Sequence, residues 1–327
     1  MSAPRTLPPE PGAPRLAVLG ENVMDLIPRG DEPGVYRAVP GGGPANIAVA
    51  AARLGTPTAF LARFGADGFG ATMRERLAAE GIGLDLAVAA AEPSALALTS
   101  LGTDGQARYD FWMDGAADWQ WSDAELAAPL PDSLRLLCVG SVAAFRGPGA
   151  EAIERLMARE RDRGRLVLGF DPNVRPAVIG DPERARARYL GLAALSHVVK
   201  ASDEDLRMLH PGRDEEEAAR QLLAEGAALV VVTAGAKGAR AFTRHRDLAV
   251  PAPVVEVQDT IGAGDTFMGA LLHTLARLDV APDAVADLGE RDLRTLLTTA
   301  GAAAAVTCTR PGAQPPTEAD LAPYLSS

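Results

Sequence analysis

The sequence predicts an α/β fold, a mostly parallel sheet with helices on both faces. Three observations predict it. Short apolar runs recur along the chain, and several are apolar at consecutive positions, as strands buried on both faces are. Glycine-bearing loops follow these runs. Helical patterns separate them, so successive strands are joined by crossovers. The chain has 327 residues, 47% hydrophobic and 23% charged. That is enough to bury a sizeable core and too apolar for bulk disorder or collagen. The length suits about two units or one large α/β domain.

Met1 to Pro14 is proline-rich with no apolar run, so it reads as a short disordered tail (1–14) and not as a secretory signal. Leu16–Leu19 is the first strand. Val35–Val39 is a short strand between turn residues, and Ala45–Leu54 is helical. Ala95–Leu101 and Gln106–Met113 flank Gly102-Thr-Asp-Gly105 and read as a hairpin. Ala107, Tyr109, Phe111 and Met113 share one face of its second arm; Gln106, Arg108, Asp110 and Trp112 share the other. Both faces carry an aromatic, so neither is plainly the solvent side. Strands then follow at Leu134–Val139, Leu166–Phe170, His197–Val199 and Leu229–Val232, with helices at Glu151–Arg161 and Glu215–Ala224. Val254–Val257 reads as a further strand. After it, Phe267, Met268, Leu271, Leu272, Leu275 and Leu278 mark one broad helical face. The division expected is an α/β domain from 15–27, 41–92 and 119–327, with a small β layer from 28–40 and 93–118. Such a layer serves as a lid or as an oligomer contact.

The net charge of −11 argues against a nucleic-acid partner, which needs a basic face, but not against a nucleotide. No run approaches the ~20 apolar residues that span a bilayer. Cys138 and Cys308 fit a reduced cytoplasm better than a disulfide scaffold. The histidines at 197, 210, 245 and 273 lack metal-ligand spacing. Of the 32 basic residues only Lys200 and Lys237 are lysines; both follow predicted strands in loops, where a compact charge can meet a phosphate.

The most informative segment is Asp259-Thr-Ile-Gly-Ala-Gly-Asp265-Thr-Phe. Glycines just before a helix let backbone N–H groups converge on an anion, and the helix dipole favours negative charge there. An aspartate at that place is odd for anion binding alone. It makes sense as a base beside a phosphoryl group in transfer, with Asp265 taking a hydroxyl proton while Gly262, Ala263 and Gly264 stabilise charge. In isolation, Gly-x-Gly-Asp reads first as a capped helix start. The third glycine of a dinucleotide fingerprint is missing, and no P-loop occurs: Gly65–Gly70 has the glycine spacing, but Ala71 stands where lysine is needed.

Asp259 to Asp265 resembles the C-terminal signature of the ribokinase-type sugar kinases, the phosphofructokinase B family. Gly41-Gly-Gly-Pro-Ala-Asn46 resembles their N-terminal signature, in the expected order and more than 200 residues upstream. The resemblance runs from Leu16 to Gly312. It implies a ribokinase-like three-layer α/β/α domain with a small β-sheet lid, ATP and Mg²⁺ as cofactors, and a homodimer through the lid.

Residue by residue, the resemblance makes Asp25, which ends the first strand, an acceptor for sugar hydroxyls; an ionised carboxylate suits two of them. Gly42 and Gly43 permit close backbone approach, and Asn46 reads a hydroxyl's orientation. Gly65-Ala-Asp67-Gly-Phe-Gly70 is a family turn. Asp171-Pro-Asn173-Val-Arg175 resembles the Asp-x-Asn-x-Arg element, in which Arg175 holds phosphate or substrate. Lys200-Ala-Ser202-Asp-Glu-Asp205 aligns with Asn-x-x-Glu, which orders magnesium-bound water; Ser202 and Asp205 are the shorter counterparts. Thr233-Ala-Gly235-Ala-Lys237-Gly238 resembles the nucleotide turn. Ala300–Ala305 resembles the adenine wall, with Gly301 where many relatives have asparagine. A monovalent cation, K⁺, is implied at Asp259 and at backbone groups near Ile261, Thr307, Arg310 and Gly312.

Tyr109–Asp118, with Phe111 over the sugar, Asp171–Arg175 and Thr307–Gly312 all resemble bacterial fructokinases. The expected activity is ATP-dependent phosphorylation of D-fructose at its 6-hydroxyl. The alternatives are a 2-keto-3-deoxygluconate kinase, a riboside kinase, and a catalytically silent sugar- or nucleotide-binding regulator.

Overall fold

Two apolar faces on each strand require two cores, and the chain builds both. The computed structural model describes residues 12–29, 32, 34–101, 107–175, 178 and 180–325. The predicted turn Gly102–Gly105, Gln106 and residues 1–11 of the predicted tail lie outside them, as does the side chain of Tyr109.

Eight strands form the main sheet, in the spatial order Asp247–Val250, Ala239–Phe242, Leu229–Thr233, Val198–Ser202, Val167–Asp171, Leu136–Gly140, Leu16–Leu19 and Thr58–Leu61. The last six run parallel, and the first two add antiparallel at the edge. Alternation along each strand feeds opposite cores. Leu16, Val18 and Cys138 pack with the helices Gly43–Arg53, Ala263–Leu278 and Glu290–Cys308. Ala17, Leu19 and Val139 pack with Gly149–Arg163, Pro182–Leu195 and Glu215–Glu225. The three-layer expectation is met.

From Leu16–Leu19 the chain turns first to Thr58–Leu61 on one side and later to Leu136–Gly140 on the other. The strand order reverses between Leu16–Leu19 and Leu136–Gly140, and open α/β sheets bind ligands beyond the carboxyl ends at such a point. A second sheet stands over that end, in the order Tyr36–Gly41, Val23–Pro28, Leu96–Leu101 and Ala107–Trp112.

Four expectations change. Asp25 does not end the first strand; it lies in the separate strand Val23–Pro28, so the small sheet begins at Val23 and not at residue 28. Val254–Val257 is not a strand: the segment is irregular and Val254 is fully exposed, because Pro251 and Pro253 cannot donate to a ladder. Lys200 lies within the strand Val198–Ser202 and not in a loop. Leu278 is exposed, unlike the rest of its predicted face. The ambiguous hairpin arm resolves with Phe111 and Met113 toward the cavity beneath and Trp112 outward, 55% exposed.

Candidate active site

The helix Ala263–Leu278 starts without a side-chain cap. Gly262 precedes it in a left-handed conformation with φ 76°, and a Cβ there would approach Ala313 to 2.5 Å. Asp265 is therefore no cap. The Ala263 amide donates to the Thr260 carbonyl, 3.2 Å away, while those of Gly262, Gly264 and Asp265 have no partner among the described residues. The amide cradle thus differs from the expected one by exchanging Ala263 for Asp265 itself.

Asp265 is 8% exposed. Asn46 donates its Nδ2–H to Oδ2 at 2.9 Å, and Asn173 donates to Oδ1 at 3.4 Å. Burial raises the Asp265 pKa above the usual carboxylate range; the Asn46 bond and the Lys200 and Arg175 charges oppose that rise. Asn46 Oδ1 is buried without a partner, an acceptor aimed at a group still to arrive. Gly43 is packed into this cluster: a Cβ there would lie 2.7 Å from Asn173 Nδ2 and 3.2 Å from Asp265 Oδ1.

Asp265, Asn46, Asp25, Gly42, Gly43, Gly262 and Gly264 line one cavity of about 820 Å³ under the small sheet. Burial pushes the Asp25 carboxyl up to about 6, countered by Arg76. Phe111 and Arg175 also line it. Sequence reasoning assigned no role to Glu21, Arg37, Arg53, Arg76, Ser141 or Asn173, which line it too. Asn173 stood inside a quoted motif; Ser141 could be found only by knowing that its strand adjoins the first.

A second cavity, about 460 Å³, opens on the other side of the cradle. Thr233, Gly235, Gly238, Gly301 and Phe267 line it; Lys237 stands exposed beside it on the turn. Its walls are mostly apolar, as a flat heteroaromatic base requires. Thr260 and Gly264 line both cavities, so the cradle is the wall between them.

Lys200, Ser202 and Asp205 sit apart from that cavity's wall. Lys200 is 4% exposed and pairs with the buried Asp171 at 3.0 Å, its Nζ 3.2 Å from where a Gly264 Cβ would be. It lies beneath the cradle and lines neither cavity. Asp205 accepts from Ser202 Oγ at 2.7 Å and from the Val174 amide at 2.8 Å. Both its oxygens tie the helix start at Ser202 to the Asp171–Arg175 loop, in place of the expected outward reach to magnesium-bound water.

At the implied cation site, Asp259 accepts from the Ile261 and Gly312 amides at 3.0 and 2.7 Å. The Thr307 and Gly312 carbonyls each accept one backbone bond, and Arg310 pairs with Asp320. Each carbonyl keeps a second lone pair, so the donor set suits a hard cation.

A family model described as pfkB family carbohydrate kinase matches residues 13–320. The chain belongs to the pfkB family of carbohydrate kinases. This kinase is 37% identical to a fructokinase from Rhizobium leguminosarum bv. trifolii over 279 residues, 84% of each chain. Its fold is similar to the crystal structure of a fructokinase with bound ATP from Xylella fastidiosa, with a TM-score of 0.86, 29% identity, and 95% and 98% of the two chains covered. It is also similar to a Vibrio cholerae O395 fructokinase in fructose, ADP and calcium ion bound form, with a TM-score of 0.82, 29% identity, and 96% and 100% covered. The expected fold class and family are borne out. No helix among the described residues is long and apolar enough to cross a membrane.

Proposed function

We propose that this kinase transfers the γ-phosphoryl group of ATP to the 6-hydroxyl of D-fructose. The observation that carries the reading is the shared wall. Asp265 faces a polar cavity holding Asp25 and Asn46, with an apolar, glycine-lined cavity behind the same amides. The names and bound molecules of the similar fructokinases support fructose as the acceptor.

Asp25 accepts sugar hydroxyls, and Asn46 Oδ1 receives one more. Asp265 takes the proton of the reacting hydroxyl as its oxygen bonds to the γ-phosphorus. The bond from that phosphorus to the β–γ bridging oxygen breaks, and ADP leaves. The free Gly262, Gly264 and Asp265 amides receive charge on the transferred group. Among the described residues no group of three His, Cys, Asp or Glu side chains could hold a metal ion. Mg²⁺ would keep several waters and take phosphate ligands, and when bound it would neutralise phosphate charge. K⁺ would be held by Asp259 and the backbone groups near Ile261, Thr307, Arg310 and Gly312, completing the charge behind the cradle. Closure of the small sheet, bringing Phe111 over the sugar, excludes water, itself a competing acceptor. A homodimer through that sheet belongs to the same reading, supported by the outward Tyr36 and Trp112. Sedimentation velocity reads it directly. The two free cysteines agree with a cytoplasmic setting.

One observation favours a second acceptor. Arg53 is committed to Glu80, and Arg76 faces Asp25, but neither Arg37 nor Arg175 forms an ion pair among the described residues, although the Arg175 charge reaches Asp265. Two such guanidinium groups suit an acidic sugar such as 2-keto-3-deoxygluconate. Coupled ADP release with fructose, ketodeoxygluconate and ribosides decides. The highest kcat/KM on fructose supports the first reading, and the highest on the acid supports the second. Saturable sugar binding without ADP from any sugar reduces the protein to a silent regulator.

A further inference from the structure

Three non-glycine residues among those described have positive φ, and two of them flank Asp265. Ser141 (φ 56°, ψ −155°) follows the strand Leu136–Gly140, and Asn173 (φ 37°) follows the neighbouring strand Val167–Asp171. Such backbones are costly for a residue with a Cβ and persist where the surroundings over-determine them. What this conformation achieves at Asn173 is visible in its side chain. The amide points back at Asp265 Oδ1, across the space kept open by the missing Cβ of Gly43.

We infer that Asn173 is a positioning residue for the catalytic base: with Asn46 on Oδ2, its amide on Oδ1 clamps the Asp265 carboxylate in one rotation and in its ionised form. The inference rests on Asp265 acting as the base. The two donors come from different layers, Asn46 from the helix Gly43–Arg53 and Asn173 from the end of a central strand. Neither belongs to the helix that carries Asp265. A carboxylate held from both sides presents its remaining lone pairs to a single point, and a small misplacement of a reacting group is costly. The 3.4 Å bond is long, as catalytic hydrogen bonds often are before substrate binds. The loop is itself anchored, because Asp205 accepts from the Val174 amide at 2.8 Å. The charged groups facing the carboxylate are Lys200 from the strand Val198–Ser202, Arg175 from the loop and Asp171 beneath it; the helix Gly43–Arg53 contributes only the neutral Asn46.

The test uses the full-length protein and the best acceptor from the sugar panel, with Asn173→Gly, Asn173→Ala and Asn173→Asp. Glycine tolerates the left-handed backbone and deletes the amide; alanine deletes the amide and strains the backbone. Aspartate keeps the size and puts a second carboxylate beside the base. Expected for Asn173→Gly is a kcat about tenfold lower at unchanged sugar KM, since hydrogen bonds to charged groups are the stronger class. The acidic limb of its kcat–pH profile should move to higher pH, because a donor to the ionised form is gone. In Asn173→Asp that limb should move further, by ~1 pH unit or more, through like-charge repulsion. Asn173→Gly with wild-type kcat and an unmoved limb overturns the inference, most clearly if Asn173→Ala alone is impaired, which would make the backbone the only role. Asp265→Asn separates the two levels. If it stays active, the base assignment falls and the clamp with it. If it is inactive while Asn173→Gly is normal, the clamp alone falls.

Discussion

Two carboxylates in one cavity are asked to do different jobs, and their surroundings separate them. Asp265 has two amide donors and a nearby lysine; Asp25 has only Arg76 against its burial. Asp265→Asn should bind sugar and nucleotide yet lose roughly 10²–10⁴-fold in turnover, the usual worth of a positioned base. Single-turnover ADP release measures it, and a near-normal kcat in a folded variant removes the role. For Asp25 the sign is set by a pKa pushed up to about 6. In the proposed reading the carboxylate would accept two hydroxyls above that pH, and the protonated form below it would accept less well. Sugar KM should therefore rise as pH falls through 6, and Asp25→Asn should show a high KM without that slope. Much of this was legible in the chain: Asp25, Asn46 and Asp265 all meet at one cavity. Ser141, Glu21 and Asn173 were not, because their use depends on which strand lies beside which, and local sequence carries no such information.

The helix Ala263–Leu278 sets where the base stands, and it is seated against Gly43–Arg53 through Gly269. A Cβ at Gly269 would lie 2.6 Å from Ala50 Cβ and 2.7 Å from the Ile47 carbonyl. Gly269→Ala gains about 1 kcal/mol of helix propensity but overpacks the contact by ~1–3 kcal/mol. The clash should win, lowering the melting temperature and, by moving Asp265 from Asn46, kcat as well. An unchanged melting temperature would show that the helices slide apart freely. Elements with consecutive apolar residues, such as Leu229–Val232, were readable from sequence alone. The antiparallel pair Ala239–Phe242 and Asp247–Val250 was not, since a half-exposed strand has no continuous apolar run, and Thr58–Leu61 was passed over although it is apolar from Ala59 and wholly buried. Val254–Val257 misled in the opposite direction: its valines line the base-side cavity, where apolar surface serves a ligand instead of a core.

Where the small sheet joins the main one, Asp118 is buried and accepts from the Asn22 amide and Nδ2 at 2.8 and 2.9 Å, and among the described residues it forms no ion pair. Burial and the neighbouring Glu21 push its carboxyl up to about 7. A folded pKa above the unfolded value of ~3.9 means that the folded form holds the extra proton. This group's contribution to stability therefore falls as pH rises from about 4 to 7. Thermal melts at pH 5 and 8 should show a smaller difference for Asp118→Asn than for wild type, and identical differences would clear the group of any part. The two cavities sharing Thr260 and Gly264 give a second whole-chain expectation. Sugar and a non-hydrolysable ATP analogue together should raise the melting temperature by more than the sum of their separate shifts. Additive shifts would mean that the two sites ignore each other.

The scarcity of lysine has a practical side. Lys200 is 4% exposed and held by Asp171, whereas Lys237 is exposed on the turn whose Gly235, Ala236 and Gly238 line the base-side cavity. Apart from the chain's own α-amino group, an amine-directed dye therefore finds one accessible target, and it stands at the mouth of the cavity proposed to take the nucleotide. Nature has left a labelling handle there that needs no mutagenesis, and its emission would follow nucleotide arrival in real time.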